Sequence, residues 1–191
     1  HFVHQLDDPA LHGTLHRLAV IGLIYELGTD QECNIFLDKF WNDFPVTAGV
    51  QPYTGGGNPD LNSKLTAELA QGYYHWYGSL TTPPCTEGVS WNLLKRREKV
   101  CQRQVDWLKQ ALATTQNGIA FNNRVVQPLN HRRVAEMAPD ATAAPVNNIN
   151  PVETPGSWKY AEPGDTAARA STQERTWNGL CKSGHEQSPI N

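Results

Sequence analysis

With 191 residues, 39% of them apolar and 18% charged, the chain is long enough for one domain with a sizeable core. Its 16 basic and 19 acidic side chains leave a formal charge of −3, so composition offers no footprint for a nucleic acid or other polyanion. No apolar run approaches the ~20 residues that a membrane-crossing helix needs.

In chain order, HFVHQ opens with His1 and His4, which on a strand face opposite sides and so do not serve one ion together. His12 and His16 have the spacing of one helix face, but Gly13 and Thr14 between them favour a polar hairpin turn. Residues 18–27, LAVIGLIYEL, read as a buried strand that Gly28 ends. Residues 34–44 carry a helical stripe of Ile35, Phe36, Leu37, Phe40, Trp41 and Phe44, stopped by Pro45. From 47 to 62 the chain is rich in Gly and Pro. It lacks the Lys-Ser/Thr ending and following helix of a phosphate loop, so it is expected to be a surface loop. Tyr73, Tyr74, Trp76 and Tyr77 make an aromatic strand, and without interleaved basic residues they are expected in a core rather than stacked on bases.

The most informative stretch is 78–91, GSLTTPPCTEGVSW. After a small, flexible entry at Gly78 come two hydroxyls, Thr81 and Thr82, and then Pro83 and Pro84, whose rings fix φ and remove amide donors. Val89 and Trp91 alternate with Ser90 as on a strand with one apolar face. A stiff loop therefore presents hydroxyls beside an apolar wall. Residues 95–99 read as a short charged turn. Residues 102–113 form an amphipathic helix on Val105, Leu108, Ala111 and Leu112. Residues 135–157, dominated by Ala, Pro, Asn and Thr, read as a linker. The cysteines at 33, 85, 101 and 181 contain no close CxxC pair, and three disulfide pairings are open.

The run SLTTPPC with Glu87 and Trp91 closely resembles the signature segment of α-class carbonic anhydrases, zinc enzymes (lyases) that hydrate CO2. His1-x-Val3-His4 resembles the segment carrying that family's third zinc histidine, and 18–22 resembles its LAVxG strand. Asn122-x-Arg124 and Gln127-Pro128-Leu129 resemble its closing segment. The resemblance implies a mainly β (α+β) fold: a large twisted, mostly antiparallel sheet with short peripheral helices. It implies His1 as a Zn2+ ligand and Thr81 as the hydroxyl that orients the attacking oxygen. Val3, Val20, Leu80, Val89 and Trp91 would line the pocket for CO2 or bicarbonate, with Thr82 at its rim. Tyr160 matches the tyrosine of the proton-path water network. Where the family usually has a tyrosine four residues before Leu80, this chain has Trp76. Cys85 and Cys181 match the cysteines bridged in secreted members, which implies an extracellular or periplasmic setting. The resemblance assigns no partner to Cys33 or Cys101.

Trp158-x-Tyr160, Trp177-x-Gly179-x-Cys181 and the run 187–191, QSPIN, resemble the beginning of the family, so its halves stand in reversed order. Residues 1–134 match a C-terminal part, 135–157 the linker and 158–191 an N-terminal part. The middle, with two zinc histidines and the glutamate that orients the threonine hydroxyl, is absent. A circular permutation and an excerpt across two tandem repeats both give this order. The excerpt is favoured, because deleting the middle of a sheet forfeits its core. On that reading adjacent carbonic anhydrase repeats are the expected partners, and Cys85 and Cys181 normally pair elsewhere. The isolated piece is expected to be incomplete, to expose sheet edges, to bind zinc weakly and to hydrate CO2 negligibly. A carbonic-anhydrase-like binding or structural module without a zinc site is the alternative.

Overall fold

The computed structural model describes residues 1–6, 17–43, 52, 54, 59–116, 118–138 and 179–189. The turn expected at His12 and His16, most of the loop at 47–62, Phe44 and Tyr160 lie outside the described residues.

A five-stranded sheet organises them, formed by β1 (Phe2–Gln5), β2 (Leu18–Leu27), β3 (Tyr73–Ser79), β4 (Glu87–Val100) and β5 (Ala135–Met137), in the order β1-β2-β4-β3-β5. The β2–β4 pair is parallel and the other pairs are antiparallel, as the expected mostly antiparallel sheet requires. Strand β2 has the expected bounds, with Gly28 N–H donating to Val100 O at 2.8 Å just past its end. Residues 135–137, at the head of the expected linker, pair with Tyr73–His75.

Two elements differ from expectation. The charged stretch 95–99 is no turn: β4 runs straight through it, because ion pairs occupy both faces of the strand. Arg96 and Glu98 reach Glu68 and Lys64 on one side, and Arg97 and Lys99 both reach Glu26 on the other. The period is two, as in any strand, but written in charges rather than in apolar residues. The end of the expected loop is instead helix α2 (Leu61–Leu69), started by Asp60, whose carboxylate accepts from Ser63 N at 2.9 Å.

The stripe at 34–44 gives only the short α1 (Ile35–Asp38) and a 3-10 turn at Trp41–Asp43. Helix α3 (Gln102–Thr115) covers the expected amphipathic stretch and begins with a capping box between Cys101 and Gln104. Gln104 is fully buried: its Oε1 accepts from Asn34 N and Cys101 N, and its Nε2 donates to Asn34 O and Asp38. A Cys33–Cys101 disulfide reinforces that junction.

The segment 179–189, including the one-turn α4 (Leu180–Ser183), packs against the β3–β4 connection. Arg124 donates to Gln187 Oε1, Ser188 O and Cys181 O, and Arg132 donates to Tyr77 O and Gln187 O. Gln127 N–H donates to Pro189 O at 2.7 Å.

Candidate functional site

The register draws one line across the sheet. Val3 faces Val20 on β2, Val20 faces Trp91 on β4, and Trp91 faces Trp76 on β3. Because side chains alternate along each strand, these four share one face. Val20, Trp76, Val89 and Trp91 form a buried cluster, with Leu80 packed against it. Trp76 and Trp91 stack with 4° between planes and centroids 6.0 Å apart. At the open end of the wall Val3 is 61% exposed. The His1 ring meets Trp91 edge-on at 5.1 Å, whereas His4 belongs to the opposite face. The expected apolar wall and His1 are therefore brought together.

The loop holding Thr81 and Thr82 continues β3 at the edge of this wall, and both threonines are half-buried. Leu80 N–H donates to Thr86 O, and Cys85 N–H donates to Thr82 O, each at 2.9 Å. The Trp91 indole donates to Ser79 O at 2.9 Å, tying the loop's entry to the wall itself. From behind, Glu87 is buried and its Oε1 accepts from Glu186 N at 2.7 Å and Gln187 Nε2 at 2.8 Å. Ser79 N donates to Ser188 Oγ and Ser188 N donates to Ser79 Oγ, a reciprocal pair at 3.1 and 2.9 Å. Cys85 and Cys181 are joined within the chain, the pairing that the resemblance implies and not the one expected on the excerpt reading, in which they pair elsewhere. The loop is thus held by covalent, polar and aromatic contacts on three sides, which suits it to positioning a reacting group.

At Trp76 the indole N–H is buried without a hydrogen-bond partner among the described residues. Sequence reasoning gave Arg124, Arg132, Gln187 and Ser188 no role, although three of them stand in the quoted motifs. Their work is to seat one part of the chain on another, and only a contact between distant residues reveals it.

His1 is a candidate metal ligand, but among the described residues no three His, Cys, Asp or Glu side chains converge to hold an ion. A zinc centre needs at least three protein ligands, so these residues do not fit one by themselves. No described helix is long and apolar enough to cross a membrane.

Comparison with known proteins places these features in one context. The family described as eukaryotic-type carbonic anhydrase matches residues 2–138. The carbonic anhydrase of Neisseria gonorrhoeae is 39% identical over 140 residues, covering 71% of this chain and 46% of that protein. Dioscorin DB3S of Dioscorea polystachya is 49% identical over 133 residues, covering 69% and 44%. The crystal structure of dioscorin complexed with ascorbate superposes with a TM-score of 0.52 at 28% identity, covering 71% of this chain and 51% of that one. The chain thus spans about half the length of these relatives.

Proposed function

The chain belongs to the eukaryotic-type carbonic anhydrase family, and we propose that it supplies part of a CO2-hydrating site: the apolar wall, the positioning threonine and one imidazole. The observation that carries this reading is the shared face of His1, Val3, Val20 and Trp91 beside the braced loop of Thr81. An apolar wall suits CO2, which offers no charge for a polar site to grip. A hydroxyl at Thr81, in the braced loop that continues β3 past the wall, suits the orientation of an oxygen that must attack along one line. Val89, Leu80 and Thr82 complete the substrate-binding surface, while Tyr160, matched to the proton-path tyrosine, stands in the 158–191 part and on the tandem reading serves the next repeat's site.

On this reading the whole protein is a zinc-dependent lyase acting on CO2 and bicarbonate, with its remaining ligands outside the described residues. The chain is a piece running across two tandem repeats, 1–134 and 158–191, and the neighbouring repeats are its partners. The two disulfides support an oxidising setting, extracellular or periplasmic.

Metal analysis and a CO2-hydration assay on the purified chain test this. The expected result is substoichiometric zinc and negligible turnover; stoichiometric zinc with fast turnover would overturn the claim that ligands are missing. In a longer polypeptide that adds a His-x-His strand before His1, hydration is expected, and Thr81→Ala should lower it about 100-fold, the scale of a misplaced reacting group. The unmet ligand set also favours a second reading, a carbonic-anhydrase-like binding or structural module. That reading requires the longer polypeptide to bind no zinc.

A further inference from the structure

We propose that the cavity enclosed by α3, the α1 turn, the ends of β2 and β4 and residues 120–123 is a binding site for a small aromatic carboxylate, held with its ring inside and its anion at Lys109. The cavity shares no residue with the apolar wall or the threonine loop. The inference therefore goes beyond CO2 chemistry and can fail without it.

Its volume is about 360 Å³, within the range of small-molecule pockets. Leu37, Trp41, Val100, Leu108, Leu112 and Phe121 give it an apolar interior, each of them buried or half-buried. Two polar side chains of the interior already have partners. The Trp41 indole donates to Gln104 O at 2.8 Å, and the Gln104 amide is taken up by Asn34, Cys101 and Asp38. An apolar ligand body would therefore leave neither of them unpaired. Tyr25, Trp41 and Phe121 bring three rings to the lining, which suits an aromatic body. The same Gln104 junction, with the Cys33–Cys101 disulfide, fixes α1 against α3, so the cavity stands open before any ligand arrives.

Charge sets the ligand class. The exposed members of the lining are Lys109, Asn122 and Asn123, one cation and two amides. No acidic side chain is among the described residues that line the cavity, although the chain carries more acidic than basic residues. Among the described residues Lys109 makes no ion pair. A carboxylate at this mouth meets a cation and amide donors while its apolar body leaves water. Around Tyr25 the same carboxylate is disfavoured. Burial, and then the carboxylates of Glu98 and Glu68, push the Tyr25 hydroxyl up and keep it protonated, and those carboxylates repel a further anion. Size follows from volume: the cavity has room for about twelve waters at ~30 Å³ each, and so for a ligand of about that many non-hydrogen atoms.

Titration of the full chain with 4-phenylbutyrate, a carboxylate of that size, tests this by calorimetry and by amide chemical shifts. One saturable site is expected, with Kd below about 1 mM, and with shifts at residues 104–112 and 120–123 rather than at Thr81 and Thr82. Lys109→Gln should weaken 4-phenylbutyrate about two- to fivefold, the scale of an exposed ion pair, and leave binding of the uncharged 4-phenylbutanol unchanged. Ala120→Leu, which fills the cavity, should weaken both compounds by about tenfold or more. Absence of saturable binding overturns the proposal, as do shifts confined to Val3 and Trp91 or affinities that both variants leave unaltered. Equal weakening of acid and alcohol by Lys109→Gln overturns the carboxylate class. Lys109 is exposed, so its variant keeps the fold and decides the matter even where Ala120→Leu does not fold.

Discussion

Gly78 illustrates how a single residue's role can reverse between sequence and structure. In the sequence it is a flexible entry to the threonine loop; in the fold it is walled on three sides. An added Cβ would overlap Ser188 Oγ and lie 3.0 Å from Trp91 Cδ1 and 3.2 Å from Trp76 Nε1. The tryptophans are stacked and buried and cannot retreat, so Ser188 must move and its reciprocal bonds with Ser79 must break. Gly78→Ala should therefore cost about 1–3 kcal/mol, the scale of overpacking, read as a lower denaturation midpoint at unchanged slope. A variant as stable as the native chain would mean that the segment seats elsewhere. Val89 and Trp91 were legible in the sequence, because their alternation with Ser90 is visible locally, whereas Val20 lies on a strand that reads as buried throughout and was placed in the wall by the family resemblance. The constraint on Gly78 was not legible, because Ser188 comes from the other end of the chain.

At the scale of elements, α2 meets β4 through charges. Glu68 is 3% exposed and lies beside Glu98; Lys64 bonds Glu98, Asn34 donates to it at 2.7 Å, and Arg96 stands 3.5 Å from Glu68. Burial, and then the hydrogen bond and charge of Glu98, raise the Glu68 carboxyl above its ordinary range, against the pull of Arg96 and Lys64. Burial would raise Glu98 too, but the hydrogen bonds from Lys64, Asn34 and Glu68 outweigh it and hold Glu98 below its ordinary range. Tyr25, on β2, is raised by burial and by the same two carboxylates. A raised folded value means that Glu68 keeps a proton the unfolded chain releases. Stability therefore falls as pH climbs from the ordinary carboxyl range through the folded value. Glu98 acts in the opposite sense, stabilising above its ordinary range and losing that contribution as pH falls through its lowered value. Glu68→Gln removes the first dependence and keeps a hydrogen-bonding amide. Its stability relative to the native chain should improve as pH rises from the carboxyl range toward neutrality, measured by denaturant unfolding across pH. A constant difference would show that Glu68 ionises normally. This junction escaped sequence reading because hydrophobic period was the signal sought. β2, β3 and α3 carry that period and were legible, whereas α2 and the far half of β4 are joined by ion pairs.

For the whole molecule, the two disulfides close loops of similar length, with sequence separations of 68 and 96. Loop-closure entropy grows only with the logarithm of length, so the unfolded chain distinguishes them by merely about 0.3 kcal/mol. Each should contribute about 2–4 kcal/mol when intact, and any difference in behaviour must come from what each one holds. Cys33–Cys101 lies in a junction already fastened by Gln104, Asn34 and Asp38. Cys85–Cys181 anchors a short segment joined to the sheet by polar contacts, several of them water-excluding but none a broad apolar face. Removing the second bridge should therefore release the segment locally before the sheet unfolds. Hydrogen exchange tests this at two amides that bond across the seam, Ser188 to Ser79 Oγ and Gln127 to Pro189 O. Both should exchange faster in Cys85→Ser/Cys181→Ser, while β2 and β4 amides change only as far as global stability falls. In Cys33→Ser/Cys101→Ser the two seam amides should instead follow the global change. Matching exchange patterns in the two variants would mean that the segment and sheet open as one unit, with Cys85–Cys181 only shortening the unfolded chain.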